Sequence, residues 1–279
     1  MKMKIVSDSS SNLLALQGVA YETVPLKVIT SEREYVDNAE LDVAGMVADM
    51  RTVKGKTQTS CPNAAEWKEA YDDAEGVFAV TITSNLSGSY ATAVQAQKMV
   101  QEDAPERKIA VIDSLSTGPE MQLLIENMRD GILAEKSFEE IEANVRAYSK
   151  RTHLIFALES MKNLARNGRV SPIVAKIAGV LGIRVVGVAS QQGTLEVLHK
   201  PRGRQKMVET IWQEMLARGY EGGKVRIDHC FNEVTALSLE KMIRDRYVDA
   251  DIAIGSTTAL CSYYAEEGGL MIGFESREQ

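Results

Sequence analysis

The feature that most constrains this chain is an alternation. Short apolar runs rich in β-branched residues recur along it, and segments with helical periodicity lie between many of them. The runs span Lys4–Ser7, Val24–Ile29, Val77–Thr83, Ile109–Asp113 and Leu154–Leu158, then Arg184–Ala189, Leu195–His199, Lys224–Asp228, Ile252–Gly255 and Leu270–Phe274. The helical segments span Asp42–Met50, Ser89–Val100, Glu120–Gly131, Ser137–Tyr148, Gln205–Ala217 and Thr235–Tyr247. Strands that alternate with helices of about three turns read as α/β units with parallel sheets. Leu195–His199 follows Q-Q-G-T closely after the preceding run, which predicts a hairpin and hence a mixed sheet in the second half.

The 279 residues suit one large domain or two of ordinary size. A helix-rich stretch ends and a new strand begins near Tyr148–Thr152. The expected division is therefore an N-terminal α/β domain over 1–150 and a C-terminal α/β domain over 151–279.

Charge and composition exclude several classes. A net charge of −7 argues against a nucleic-acid partner, which needs basic surface for phosphates. No apolar run approaches the roughly 18 residues that span a bilayer, so no stable membrane insertion is expected. The N-terminus M-K-M-K-I-V-S-D-S turns polar too early for a secretory core, and a cytoplasmic location is expected. Cys61, Cys230 and Cys261 are odd in number and far apart, which gives neither a disulfide framework nor a zinc pattern.

In open α/β sheets, ligands sit beyond the carboxyl ends of the strands. Three loops there are rich in hydroxyls or carboxylates: Asp8-Ser9-Ser10-Ser11, Ser84 to Ser89, and Asp113-Ser114. If their strands are neighbours, the loops converge on a pocket. Ser87-Gly88-Ser89 precedes a helical segment. A serine there caps the helix, or the free N–H groups hold an anion while Gly88 lets a ligand approach the backbone. Thr57 to Asn63, T-Q-T-S-C-P-N, reads as a loop entering a helix capped by Asn63; Thr59 and Ser60 are its candidate donors. In the second half, Arg169 in N-G-R-V-S-P reads as a surface or structural arginine. Arg202 in H-K-P-R-G-R is a candidate carboxylate clamp at a strand end.

The chain lacks a G-x-S-x-G elbow, a G-x-x-x-x-G-K-[ST] loop, a G-x-G-x-x-G turn and H-E-x-x-H, so no cofactor or metal is expected. His153, His199 and His229 stand alone in strand-like sequence. Hydroxyl donors without an obvious general base suit holding an anionic head group better than attacking one. A small-anion module for phosphate or sugar, and a serine hydrolase, are the alternatives.

Several segments, taken in order, resemble the DegV family of bacterial fatty-acid-binding proteins along nearly the whole chain. K-I-V-S-D-S-S-S-N-L resembles its strand-plus-D-S start, and V-P-L-K-V followed by Y-V-D its next signature. K-T-Q-T-S-C-P-N is similar to T-S-Q-P-S, with Cys61 at the usual Gln, and T-S-N-L-S-G-S-Y-A-T-A to S-S-x-L-S-G-T-Y-x-x-A. V-I-D-S-L-S-T-G loosely resembles V-x-D-S-x-x-x-S, and S-M-K-N-L-A-R-N-G-R-V-S resembles S-L-x-x-L-x-x-G-G-R-I-S.

The resemblance implies two α/β domains with a lipid tunnel between them, the acyl chain in an apolar channel and its carboxylate at polar loops. It implies a non-enzymatic carrier of a long-chain fatty acid such as palmitate, which can present the carboxylate to a separate ATP-dependent kinase. By motif match, Thr59 and Ser87 contact the carboxylate and Arg202 is the family arginine. Ser60, Gly88 and Ser89 complete the expected head-group loops. The chain departs from the family at its end. Tyr264 stands where the family has a histidine, and Glu266-Glu267 where it has Gly-Pro. A phenol still donates a hydrogen bond but is not cationic at neutral pH.

Overall fold

The computed structural model describes residues 1–178 and 182–277. The first half runs β1 (Met3–Asp8), a single 3-10 turn at Ser9–Ser11, β2 (Ala20–Val24), β3 (Lys27–Ile29), β4 (Glu34–Val36), α1 (Val43–Thr52), β5 (Gln58–Ser60), α2 (Ala64–Ala70), β6 (Gly76–Thr81), α3 (Ser89–Asp103), β7 (Lys108–Asp113), α4 (Pro119–Leu133) and α5 (Phe138–Tyr148). The second half runs β8 (Thr152–Leu158), α6 (Lys162–Arg166), α7 (Pro172–Ala178), β9 (Val185–Ala189), β10 (Leu195–His199), α8 (Arg204–Ala217), β11 (Val225–His229), α9 (Glu233–Arg244), β12 (Ile252–Ser256), α10 (Ala259–Ala265) and β13 (Leu270–Glu275).

Among the described residues, β2-β1-β6-β7 form a parallel sheet. Its central strand β6, G-V-F-A-V-T, is buried at every position, as expected for a parallel strand covered on both faces. One face carries Trp67 and Tyr71 from around α2 and Ala93 and Ala96 from α3; the other carries α4 and α5. The second sheet, in the order β10-β9-β8-β13-β11-β12, is mixed: β11 and β12 are parallel and the other pairs antiparallel. The β9–β10 pair is the hairpin that Q-Q-G-T predicts.

A third sheet, β4-β3-β5, is antiparallel and has no counterpart in the sequence reading. The run Val24–Ile29, read there as one strand, is broken at Pro25, which has no N–H to give a ladder. Val24 ends β2 in the parallel sheet, and Lys27 starts β3 in the small one.

Helix α4 lies between the two large sheets, against β1 and β6 on one side and β8, β11 and β13 on the other. Its buried residues, including Met121, Leu123, Leu124, Ile125 and Met128, cover more than the single stripe of a surface helix. Gly273 of β13 allows the close approach, since a Cβ there would lie 2.4 Å from the backbone carbon of Pro119. The tip of the β9–β10 hairpin reaches the other sheet's loops. Thr83 Oγ1 donates to Gly193 O at 2.9 Å, and Asn85 Nδ2 to Gln192 O at 2.5 Å.

Candidate ligand-binding site

Because β1, β6 and β7 are parallel neighbours, their carboxyl ends bring the three expected loops together. Asp8 organises them. It is fully buried and accepts hydrogen bonds from Ser10 Oγ (2.5 Å), Ile82 N (2.9 Å) and Ser89 Oγ (2.6 Å). Ser84 N donates to Asp113 Oδ1, and Gly118 N to Ser10 O. Burial raises the Asp8 pKa, and its hydroxyl and amide donors oppose that rise.

Beyond this edge lies a cavity of about 280 Å³. Its floor is one face of the mixed sheet: Leu154, Phe156 and Leu158 of β8, Met271 of β13 and Leu195 of β10. Alternation along β8 sends Ile155 and Ala157 to the opposite face, into the core with α8 and α9. Leu26, Ile82, Leu86, Leu164 and Leu260 complete the apolar wall. A space lined this way disfavours water and favours an apolar occupant.

Most polar groups of the lining cluster together, while Thr117 lies apart beside Ser10 and Cys261. Thr59 and Ser60 of β5, Ser87 and Gly88 before α3, Arg169, and Tyr264 of α10 all line the cavity. Thr59 Oγ1 and Tyr264 OH share a hydrogen bond of 2.7 Å. Whichever hydroxyl accepts in that pair keeps its own proton to donate elsewhere. Burial raises the Tyr264 pKa, so the phenol stays protonated at neutral pH. Ser87 Oγ accepts one long hydrogen bond from Ser89 N at 3.3 Å, while Gly88 is the N-cap of α3 and no side chain caps the helix, so Ser87 is chiefly a cavity hydroxyl.

Arg169 supplies the cation. Its Nε donates to Leu86 O at 3.1 Å, its Nη1 to Asn167 O at 2.6 Å, and its guanidinium lies 6.0 Å from the Tyr264 ring centroid. Its sequence context alone reads as a surface or structural arginine. Only the packing of the loop after α6 against Leu86, from a segment about 80 residues away in the chain, reveals its position.

Asp37 of the Y-V-D segment fixes α10 from a distance. It is buried and accepts from Ala259 N (2.7 Å), Leu260 N (3.1 Å) and Thr258 Oγ1 (3.1 Å). These are donors at a helix N-terminus, capped here by a residue about 220 positions earlier in the chain. Tyr263, next to Tyr264, is held by Thr57 Oγ1 at 2.5 Å and by Asn167 Nδ2 at 2.9 Å.

Two expected residues fall elsewhere. Ser89 is fully buried and donates to Asp8, so it supports the loop from behind rather than facing the cavity. Arg202 is exposed and does not line the cavity. The register of β10 shifts between Val197 and His199, and the chain continues past Pro201 to an isolated bridge with Ile183, which leaves Arg202 on the outer surface. The acidic pair also points away. Glu266 accepts from Asn163 N at the start of α6, and Glu267 pairs with Arg51 of α1. None of the three histidines lines the cavity. His199 pairs with Glu214 at 2.6 Å, His229 accepts from Asn232 N, and His153 packs against Phe274.

Comparison with known proteins gives the family and fold relatives of the chain. A DegV domain protein of Streptococcus pneumoniae is 40% identical over 99% of this chain and 99% of its own. A DegV family protein from Eubacterium eligens, solved loaded with heptadecanoic acid, superposes with a TM-score of 0.97 at 41% identity, covering 99% of this chain and all of its own. The Fak B3 protein of the S. pneumoniae fatty acid kinase, solved loaded with linoleic acid, superposes with a TM-score of 0.98 at 39% identity over 99% of this chain and all of its own. The model of the DegV family, described as uncharacterised, matches residues 2–277, and the chain belongs to that family.

Proposed function

We propose that this protein binds a long-chain fatty acid. The acyl chain occupies the cavity over Leu154, Phe156 and Leu158, and the carboxylate meets Thr59, Ser60, Ser87, Gly88, Tyr264 and Arg169. The observation that carries this reading is the polarity of a single cavity: an apolar floor from the mixed sheet and apolar loop residues above it, with Thr59, Ser60, Ser87, Tyr264 and one guanidinium clustered in its lining. Burying each methylene contributes roughly 0.8 kcal/mol, so an acyl chain supplies ample affinity without catalytic machinery. The head group then needs donors enough to offset the desolvation of its charge. The fatty acids in the two neighbouring structures support the same ligand class here.

The chain acts as a carrier rather than a catalyst, its two halves, 1–150 and 151–279, holding the lipid between them. Its lining offers donors, which suit holding a carboxylate. The kinase name of the S. pneumoniae neighbour supports presentation of the carboxylate to a separate kinase. The three cysteines are free, in keeping with a reducing, cytoplasmic setting. No helix among the described residues is long and apolar enough to cross a membrane.

Mass spectrometry of the purified protein, native and then denatured, tests the reading. A stoichiometric fatty acid released only on denaturation is the expected result. A protein without lipid mass that also fails to take up added fatty acid would overturn it.

A further inference from the structure

One residue of the cavity floor lies low on the sheet. Phe156 of β8 pairs across the sheet with Gly187 of β9. A Cβ on residue 187 would lie 2.3 Å from Glu196 O, 2.4 Å from Phe156 Cζ and 2.8 Å from Cε2, closer than such contacts occur. The tip of the ring therefore occupies the space that any side chain at 187 would take. Phe156 leans sideways over β9 instead of standing up from the sheet into the cavity.

The position along the cavity matters. Leu158 and Phe156 share an apolar cluster with Leu164, Ala265 and Tyr264, toward the polar end. Leu154 packs with Cys261 and Met271, at the opposite end. At about 3.3 Å per residue, Leu154 and Leu158 are roughly 13 Å apart, with Phe156 midway. A chain that starts at Thr59 and Tyr264 and follows β8 passes Phe156 near its middle.

We infer that the Phe156–Gly187 pair sets the acyl specificity of this site, by opening the floor under the middle of the chain to lipids that are bent or branched there. This inference rests on the fatty-acid reading above. A straight saturated chain needs no such depth and gains nothing from it. A cis double bond displaces the chain sideways at mid-length, and the lowered ring leaves room for that displacement. Gly187→Ala lifts the ring into the cavity and selects against the bend. Phe156→Ala deepens the floor and selects for it.

The test uses the delipidated full chain equilibrated with equal amounts of stearic and oleic acids, which have the same carbon number and differ by one cis double bond. Native mass spectrometry reads the ratio bound. Relative to the unsubstituted chain, Gly187→Ala is expected to lower the oleic-to-stearic ratio by about tenfold, and Phe156→Ala to raise it severalfold, the scale on which fit in an apolar pocket discriminates. Opposite shifts are a signature that general loss of packing does not produce. Residue 187 also lies against Glu196 O, so Gly187→Ala carries a risk to the hairpin. If it does not fold, Phe156→Ala and Phe156→Leu decide, both with a raised ratio expected. Normal uptake with unchanged ratios overturns this inference alone. A parent chain that takes up neither acid overturns the carrier reading and this inference with it.

Discussion

Thr59 Oγ1 and Tyr264 OH, 205 residues apart in sequence, share a 2.7 Å hydrogen bond across the polar end of the cavity. The pair joins the small antiparallel sheet to α10 and leaves one hydroxyl proton to donate to a ligand. Removing the phenol hydroxyl by Tyr264→Phe keeps the ring packed on Tyr263 and beneath Arg169. Affinity for fatty acid is expected to fall about tenfold, or near 1.4 kcal/mol, with the melting temperature little changed. Displacement of a fluorescent fatty acid measures it. Unaltered affinity would remove Tyr264 from the head-group set.

Arg169 and Arg202 separate geometry from motif matching. Arg169→Ala takes away the guanidinium at the cavity and should weaken fatty-acid binding by about tenfold, as expected for a charge-assisted contact. Arg202→Ala, on the exposed surface, should leave it within about twofold. The reverse result in the same titration would restore Arg202 as the clamp.

The two serines flanking Gly88 should part company. Ser89→Ala strips a 2.6 Å donor from buried Asp8 and is expected to cost about 2 kcal/mol of stability. Ser87→Ala, at the cavity wall, should cost less than about 0.5 kcal/mol and instead weaken binding. Urea denaturation and ligand titration on both variants make the comparison.

Asp37 is a positioning residue for α10. Asp37→Ala leaves two amides and a hydroxyl at the helix start without their acceptor, an expected loss of about 3 kcal/mol. Fatty-acid affinity should fall with it, because Tyr264 rides on that helix. Asp37→Asn keeps one acceptor oxygen and should recover part of both. Full affinity in a folded Asp37→Ala variant would contradict the positioning role.

Two buried carboxyls at the α4 interface predict a pH dependence. Burial pushes Asp228 and Glu120 up to about 7, while Asn12 and Gln122 donate to Asp228 and Thr152 donates to Glu120. Both groups hold protons in the folded state that the unfolded chain releases above its ordinary carboxylate pKa. As far as these two groups decide it, stability is therefore greatest below about pH 4 and falls as pH rises toward about 7. The slope is at most about 1.4 kcal/mol per pH unit for each group. Denaturation midpoints across pH 5 to 8 should show the decline, and Asp228→Asn should flatten it. An equally steep slope in that variant would assign the titration to other groups.

Much of the architecture was readable from local pattern. Apolar runs of strand length, helical periodicity between them and the Q-Q-G-T turn are short-range properties, so the parallel sheet, the mixed sheet and the hairpin followed from them. So did the three hydroxyl loops, because parallel strands place their carboxyl ends at one edge. Pro25 is a local signal too, and reading Val24–Ile29 as one strand passed over the donor that proline lacks.

What tertiary structure decided is which side chains meet. Arg169 reaches the cavity and Arg202 does not, a distinction that depends on a loop packing against Leu86 and on a register shift in β10. Ser87 and Ser89 are near neighbours with the same hydroxyl, yet one faces the cavity and the other is buried against Asp8. Leu154, Phe156 and Leu158 lie in a run, Leu154–Leu158, that is apolar throughout, so composition could not say which face lines a cavity and which fills the core. Sequence determined the elements because propensity and periodicity act over a few residues. The site depended on contacts between segments more than 200 residues apart, whose distances exist only once the sheets have packed around α4.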